Sequence, residues 1–247
     1  MNNKLLLLFL LLSVSLMGQN KKKNDWEKEN LIGKVKQVTM QRFEALENGA
    51  LGAKLPDHTR TTFNEQGKYI SREEKYDENI GFKTLYTYGQ DGLLQEEKRF
   101  QTNINTILKR TVYVYDSQGN EINLENYNSE GILENNIVIE HKDASVEAFI
   151  YDPQGNWRGR YTIAYDAHGN ETELVVYAQN DEVIIKDISI YDSKNNRIER
   201  NYSHLYQGIV TVRTYAYEFD SYGNWVKQIT FNNGKPESIS LRTLEYY

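Results

Sequence analysis

From Phe63 onward, apolar and polar positions alternate with a period of two in short runs, and turn residues bound each run. Thr111-Val-Tyr-Val-Tyr115 puts Val112 and Val114 on one side and Tyr113 and Tyr115 on the other. Tyr161, Ile163 and Tyr165 share a side, as do Tyr215, Tyr217 and Phe219. Successive side chains of a strand point to opposite faces, so this period predicts β-strands. The chain also holds 19 tyrosines, which favour strands over helices.

The turns repeat. An aromatic, commonly followed by Asp or Asn, precedes a Gly or Gly-Asn, as in Phe63-Asn-Glu-Gln-Gly67, Tyr88-Gly-Gln-Asp-Gly92 and Tyr115-Asp-Ser-Gln-Gly-Asn120. The pattern returns in Tyr165-Asp-Ala-His-Gly-Asn170, Tyr191-Asp-Ser-Lys-Asn-Asn196 and Phe219-Asp-Ser-Tyr-Gly-Asn224. With a degenerate copy at His141-Lys-Asp-Ala-Ser145, the leads fall at 63, 88, 115, 141, 165, 191 and 219, spaced 25, 27, 26, 24, 26 and 28 residues. A weaker series lies between them, led by Tyr76, Phe100, Tyr127, Tyr151, Tyr177, Tyr202 and Phe231. A unit of about 26 residues holds two strands and two short turns, a β-meander. Asp or Asn opening a type I turn bonds the backbone ahead of it, and the Gly supplies the left-handed conformation that closes a bulged hairpin. Asn195 stands in for that Gly, whereas Ser145 does not, so its turn should differ.

The expected fold is all-β: an antiparallel meander of about seven 26-residue two-stranded repeats, curled or elongated into a repeat sheet. A propeller needs about 40–45 residues per blade. An outer-membrane barrel is set below the open strip because Arg72 and Glu74 share one face of their strand while Glu73 and Lys75 charge the other. A lipid-facing Lys or Arg at mid-bilayer costs about 2–4 kcal/mol.

Tyr113-Val-Tyr-Asp-Ser-Gln-Gly-Asn120 and Tyr217-Glu-Phe-Asp-Ser-Tyr-Gly-Asn-Trp225 resemble the YD, or RHS, repeats of bacterial exported proteins. Leu31-Ile-Gly-Lys-Val-Lys-Gln-Val38 also resembles the lead strand of secreted YD-repeat proteins, commonest in Bacteroidetes. The resemblance covers about residues 60–235. It implies a curling β-hairpin strip with a surface, shell or carbohydrate-binding role. The period is longer than the family's, the array is too short for a closed toxin shell, and no toxin domain follows it.

Lys4 followed by the apolar run Leu5 to Met17 and the small Gly18 has the layout of a secretory signal peptide over residues 1–18. Residues 19–30 are polar and Lys-rich and read as a tether, leaving 31–247 as the β-repeat domain. The run is too short for a membrane-spanning helix, and no later stretch is apolar enough to be one. The protein is therefore expected to be exported to the periplasm, cell surface or medium.

A formal net charge of -6 gives no general reason to hold nucleic acid. No cysteine is present, which excludes disulfides, thiolate chemistry and a lipidated cysteine. The four histidines, at 58, 141, 168 and 204, have no metal-ligand spacing. Asp116, Asp152, Asp166, Asp192 and Asp220 read as turn formers rather than calcium ligands. No nucleophile elbow, phosphate loop or dinucleotide fingerprint occurs, so neither an enzyme nor a cofactor is expected. A glycan-active enzyme would need an enclosed acid pair that nothing marks.

The remaining candidates are aromatic. Trp157 and Trp225 each follow a Gly-Asn turn, so Trp157, Trp225, Asn156 and Asn224 are the candidate sugar-stacking set, weighed against packing over a neighbouring strand. The expected function is a non-enzymatic binding or structural module of the cell envelope. Its partner would be a glycan or envelope polymer, or alternatively another envelope protein.

Overall fold

The computed structural model describes residues 23–247 apart from positions 78, 103 and 105. The leader assigned to residues 1–18 lies outside the described residues. A single turn of helix, α1 (Asp25–Lys28), precedes β1 (Val35–Ala45), β2 (Leu51–Phe63), β3 (Tyr69–Lys75), β4 (Gly81–Tyr88), β5 (Leu94–Gln101), β6 (Thr106–Tyr115), β7 (Glu121–Asn128) and β8 (Leu133–Lys142). There follow β9 (Ser145–Tyr151), β10 (Trp157–Tyr165), β11 (Glu171–Tyr177), β12 (Val183–Tyr191), β13 (Arg197–His204), β14 (Ile209–Phe219), β15 (Trp225–Asn232) and β16 (Lys235–Tyr246). Each strand pairs antiparallel with the next, and β1 pairs with β16, so the meander closes into a barrel. The seam is regular, with Val38 opposite Leu244, Met40 opposite Arg242 and Arg42 opposite Ser240.

The open curled or elongated strip implied by the YD/RHS resemblance is therefore corrected to a closed barrel. Hairpins of near-constant length and bulge pattern curve the same way, and their turning accumulates until the first and last strands meet. Closure removes both unpaired edges, which an open strip of this length would leave exposed. The pairing that closes the ring joins Val35–Ala45 to Lys235–Tyr246, both outside the stretch marked by the repeat.

The turn chemistry follows the sequence. In the β6–β7 turn, Asp116 Oδ1 accepts from the Gln118 and Asn120 backbone N–H groups at 2.9 and 2.8 Å, and Asn120 Nδ2 donates to Asp116 Oδ2 at 2.9 Å. Gly119 closes it at φ 78°, and Asn195 takes the equivalent place at φ 62°. The same arrangement recurs around Asp152, Asp166 and Asp192, so these carboxylates are engaged by their own turns. Between β8 and β9, where Ser145 replaces the Gly, only Asp143 and Ala144 separate the strands.

The two turn series are the two mouths of the barrel. Turns led by Phe63, Tyr88, Tyr115, Tyr165, Tyr191 and Phe219 gather at one mouth with the start of β1 and the end of β16. Turns led by Tyr76, Tyr127, Tyr151 and Tyr177 gather at the other.

Residues 24–30, read from sequence as the end of a tether, instead enter the first mouth. Asn24 caps α1 in a reciprocal capping box with Glu27. The Asp25 N–H donates to Gly67 O at 3.0 Å, and Trp26 Nε1 donates to Val35 O at 2.7 Å. Trp26 packs with Leu31, Val35, Val38 and Phe63 in a small core at this mouth. Gly67 has φ +78°, and a Cβ there would lie 2.5 Å from the Trp26 ring. Gly67→Ala is therefore expected to cost about 1–3 kcal/mol, seen as a lower urea midpoint with an altered Trp26 environment. An unchanged midpoint would contradict this close packing.

Candidate binding lumen

Opposed residues of an antiparallel pair share a face, so register separates the inside of the barrel from the outside. Val38, Thr61, Arg72, Thr84, Arg99 and Lys109 form one continuous row across β1 to β6. The row faces inward, because Glu29, just after α1, meets Arg72 Nη1 at 3.5 Å and accepts from Tyr69 OH at 2.7 Å. The neighbouring row faces outward, with Arg60 opposite Glu73 and Glu73 opposite Lys83.

The segment from Lys23 to Lys34 spans the first mouth. On one side it meets the β2–β3 turn through Gly67. On the other, Asn30 Nδ2 donates to Asn196 Oδ1 at 3.1 Å in the β12–β13 turn. Those turns stand almost half-way round the ring from each other. Next to them, Asn224 Oδ1 accepts from the Ile32 N–H at 2.7 Å while its Nδ2 donates to Ile32 O at 2.8 Å and to Tyr246 OH at 2.9 Å. Inside the mouth, Asp25 is 3% exposed. Its Oδ2 accepts from Tyr88 OH at 2.6 Å and from the Tyr69 N–H at 2.9 Å, and its Oδ1 from Lys28 Nζ at 2.7 Å. Burial, then the Asp25 charge, holds the Tyr88 phenol well above its usual range. Among the described residues, no segment crosses the opposite mouth.

A ring of this size encloses more space than its wall side chains ordinarily fill. One half is filled nonetheless. From β6 to β10, Tyr113, Leu124, Ile137, Ile139, Val146, Ala148 and Ile163 form a buried core, with Tyr161, Tyr165 and Leu174 packed against it. Beside this core, burial pushes Glu121 up to about 8 and raises Glu97. Desolvation also lowers Lys109 to about 8, against the pull of Glu97 and Glu134.

The other half is polar, with inward hydroxyls of Thr61, Thr84, Thr230, Ser238 and Ser240 buried. Arg42 pairs with Asp57 at 2.7 Å, Arg99 with Glu74 at 2.9 Å and Arg213 with Glu237 at 2.7 Å. These inward guanidinium side chains, toward the second mouth, keep 40, 37 and 33% of their surface accessible, so water reaches them there. Arg200 is bonded through Nε to both oxygens of Asp187, at 3.0 and 2.9 Å. Tyr215 and Tyr217 lie on the same inward face, opposite Thr230 and Gln228. The lumen thus presents paired guanidinium and carboxylate groups, phenols and amides, the donor and acceptor mixture that polar ligands use.

The four residues singled out from sequence are not brought together. Trp157 and Asn156 belong to the second mouth, and Trp157 stands opposite Tyr151 on the outward face. Trp225 and Asn224 belong to the plugged mouth. The Arg242 guanidinium lies 3.9 Å from the Trp225 ring centre, with Tyr217 at 5.9 Å. Asn224 is 1% exposed and committed to the N-terminal segment. Sequence reasoning missed the inward arginines, although the Arg72/Glu74 alternation with Glu73/Lys75 was their visible sign.

No family model matches the chain, and no curated protein sequence matches it. Among solved structures, a porin-like protein from Bacteroides uniformis ATCC 8492 aligns over 85% of this chain and 96% of its own, at 9% identity and a TM-score of 0.40. One from Bacteroides vulgatus ATCC 8482 aligns over 86% and 98%, at 14% identity and a TM-score of 0.42. A structure described as TcdB2-TccC3-TEV aligns over 78% of this chain and 12% of its own, at 14% identity and a TM-score of 0.21. With a closed ring formed and no YD or RHS family model matching, the family resemblance drawn from the turn motif is not upheld.

Proposed function

We propose that this chain is an exported, non-enzymatic binding module of the cell envelope, a water-exposed barrel whose half-filled lumen takes a polar ligand through the unplugged mouth. The reading rests on the accessible inward face of Arg42, Arg99 and Arg213 in a ring stopped at its other end by its own N-terminal segment. A glycan or envelope polymer suits this wall, because phenols, amides and paired charges together bond hydroxyl-rich ligands. Titration calorimetry of the full chain, purified after export, against envelope polysaccharides and oligosaccharides tests it. Arg42→Ala and Arg213→Ala are expected to weaken binding about tenfold or more, a loss of about 1.4 kcal/mol or more. Trp157→Ala, on the outer wall, is expected to leave binding unchanged. The opposite pattern would move the site to the outside, and no binding across the panel would favour a protein partner.

The outer wall supports the water-exposed part of the reading. Lys98 stands opposite Arg110 on β5 and β6, Lys186 pairs with Glu173 at 2.8 Å on β12 and β11, and Arg160 pairs with Glu147 at 2.7 Å on β10 and β9. Charges therefore recur at mid-strand height around the barrel, where lipid contact costs about 2–4 kcal/mol for each Lys or Arg. The purified chain is expected to stay behind when liposomes are floated on a density gradient. Co-flotation with the strands protected from protease would overturn this part of the reading.

A further inference from the structure

Each of Arg42, Arg72, Arg99, Arg200 and Arg213 has a carboxylate within 4 Å, as the pairs above and the 3.6 Å contact of Arg72 with Glu74 show. Arg242 is the exception. It lies on the inward face of β16, opposite Met40 of β1. Its guanidinium stacks over Trp225, and its Nη1 is shut off from solvent with no hydrogen-bond partner. The nearest acid electrostatically is Glu29, whose carboxylate is already engaged by Tyr69 and Arg72. Along the same inner wall the Lys109 ammonium also lacks a partner. Arg72, Arg99 and Arg242 therefore share two acids, Glu29 and Glu74, one fewer than the cations.

A desolvated cation without a partner is unfavourable, and removing one member of a buried pair is among the costlier changes a protein can suffer. The Trp225 ring lies against the guanidinium, and the buried Nη1 is left without an acceptor. A fixed planar fork of donors matches an oxyanion, which it can bind through two parallel hydrogen bonds. We propose that Arg242 anchors an oxyanion, the carboxylate or sulfate of an acidic sugar, within the lumen, with Trp225 as the shelf that orients it. The proposal rests on the lumen reading above and adds the charge of the ligand to it. Arg72 and the phenols of Tyr69 and Tyr217 lie close enough to Arg242 to be felt electrostatically, Arg72 adding positive charge to the site.

The test compares an oligogalacturonate with its carboxyl-reduced, neutral counterpart by calorimetry on the full chain, with inorganic sulfate as competitor. The acidic oligosaccharide is expected to bind at least about tenfold more tightly than the neutral one, with an affinity that falls as salt is added. Arg242→Gln should abolish that preference, and the competition by sulfate, while leaving the neutral ligand's affinity unchanged. Arg242→Lys, which keeps the charge but not the fork, should retain only part of the preference, and it serves if the glutamine variant folds poorly. Equal affinity for the acidic and neutral ligands would overturn the oxyanion proposal and leave the lumen reading standing. Binding of neither would overturn the lumen reading itself. A preference that survives in Arg242→Gln would place the anion elsewhere and overturn the role given to Arg242.

Discussion

Asp25→Ala is expected to free the N-terminal segment from the barrel mouth while the sixteen strands stay paired. Asp25 is buried, and its two oxygens receive three donors from three places: Lys28 in the same turn, the Tyr69 backbone on β3 and the Tyr88 hydroxyl on β4. Alanine would leave a buried hydroxyl, a backbone N–H and an ammonium without their acceptor. Stranding the partners of a buried charge costs about 3–5 kcal/mol. The other attachments of the segment on this side are the Gly67 carbonyl, the packing of Trp26 and the contacts of Glu29 with Tyr69 and Arg72. The loss should therefore appear as local opening. Hydrogen exchange at Trp26 to Leu31 is expected to rise by orders of magnitude, and trypsin should cut after Lys28 under native conditions. The strand amides should keep their protection, because the ring closes through β1 and β16 and not through α1. Asp25→Asn, which retains one acceptor oxygen, should open the segment less. Protection of residues 26–31 equal to that of the unmodified chain would show that the Glu29, Asn30 and Asn224 contacts hold the plug without Asp25.

The same contacts explain what was legible in the sequence. The period of two, the Asp-x-x-Gly-Asn turns and the 26-residue unit are local chemistry, written in adjacent residues, and the strands and turns follow them closely. Even the two interleaved turn series were readable, and the structure gives them meaning as the two mouths of one barrel. Closure was not readable, because it depends on how the small curvature of each hairpin adds up around the ring. Its residue-level trace, in pairs such as Val38 with Leu244 and Met40 with Arg242, joins positions 206 and 202 residues apart with no turn between them. The plug was hidden by composition. Asn24 to Asn30 is polar and looks like a linker, yet Asp25, Glu29 and Asn30 are polar because their partners, Tyr88, Arg72 and Asn196, line the barrel mouth. The charged positions on both faces of β3 were seen, but without closure nothing distinguished the lumen from the outer wall.

A buried acid on the filled side of the lumen sets the clearest dependence on pH. Glu121 is 4% exposed and stands opposite Tyr115, with its Oε1 unpartnered. Burial pushes its pKa up to about 8, Lys28 pulls it down in part and Glu97 pushes it up. In the unfolded chain the same carboxyl titrates near its ordinary value of about 4.3. The folded state therefore holds this proton where the unfolded state has lost it. Stability is greatest below the unfolded value, falls as pH rises towards about 8 and levels off above it, a total change on the order of 5 kcal/mol from this group. Glu121→Gln keeps the shape and removes the titration. The variant is expected to unfold at nearly the same urea concentration as the unmodified chain at about pH 4, and to be more stable by up to about 5 kcal/mol at about pH 9. Glu97 and Glu171 are raised in the same direction by burial, so a shallower fall should persist in the variant. Parallel stability curves for the two proteins across that range would mean that the Glu121 carboxyl ionises freely in the fold, which would require water to reach the filled half of the barrel.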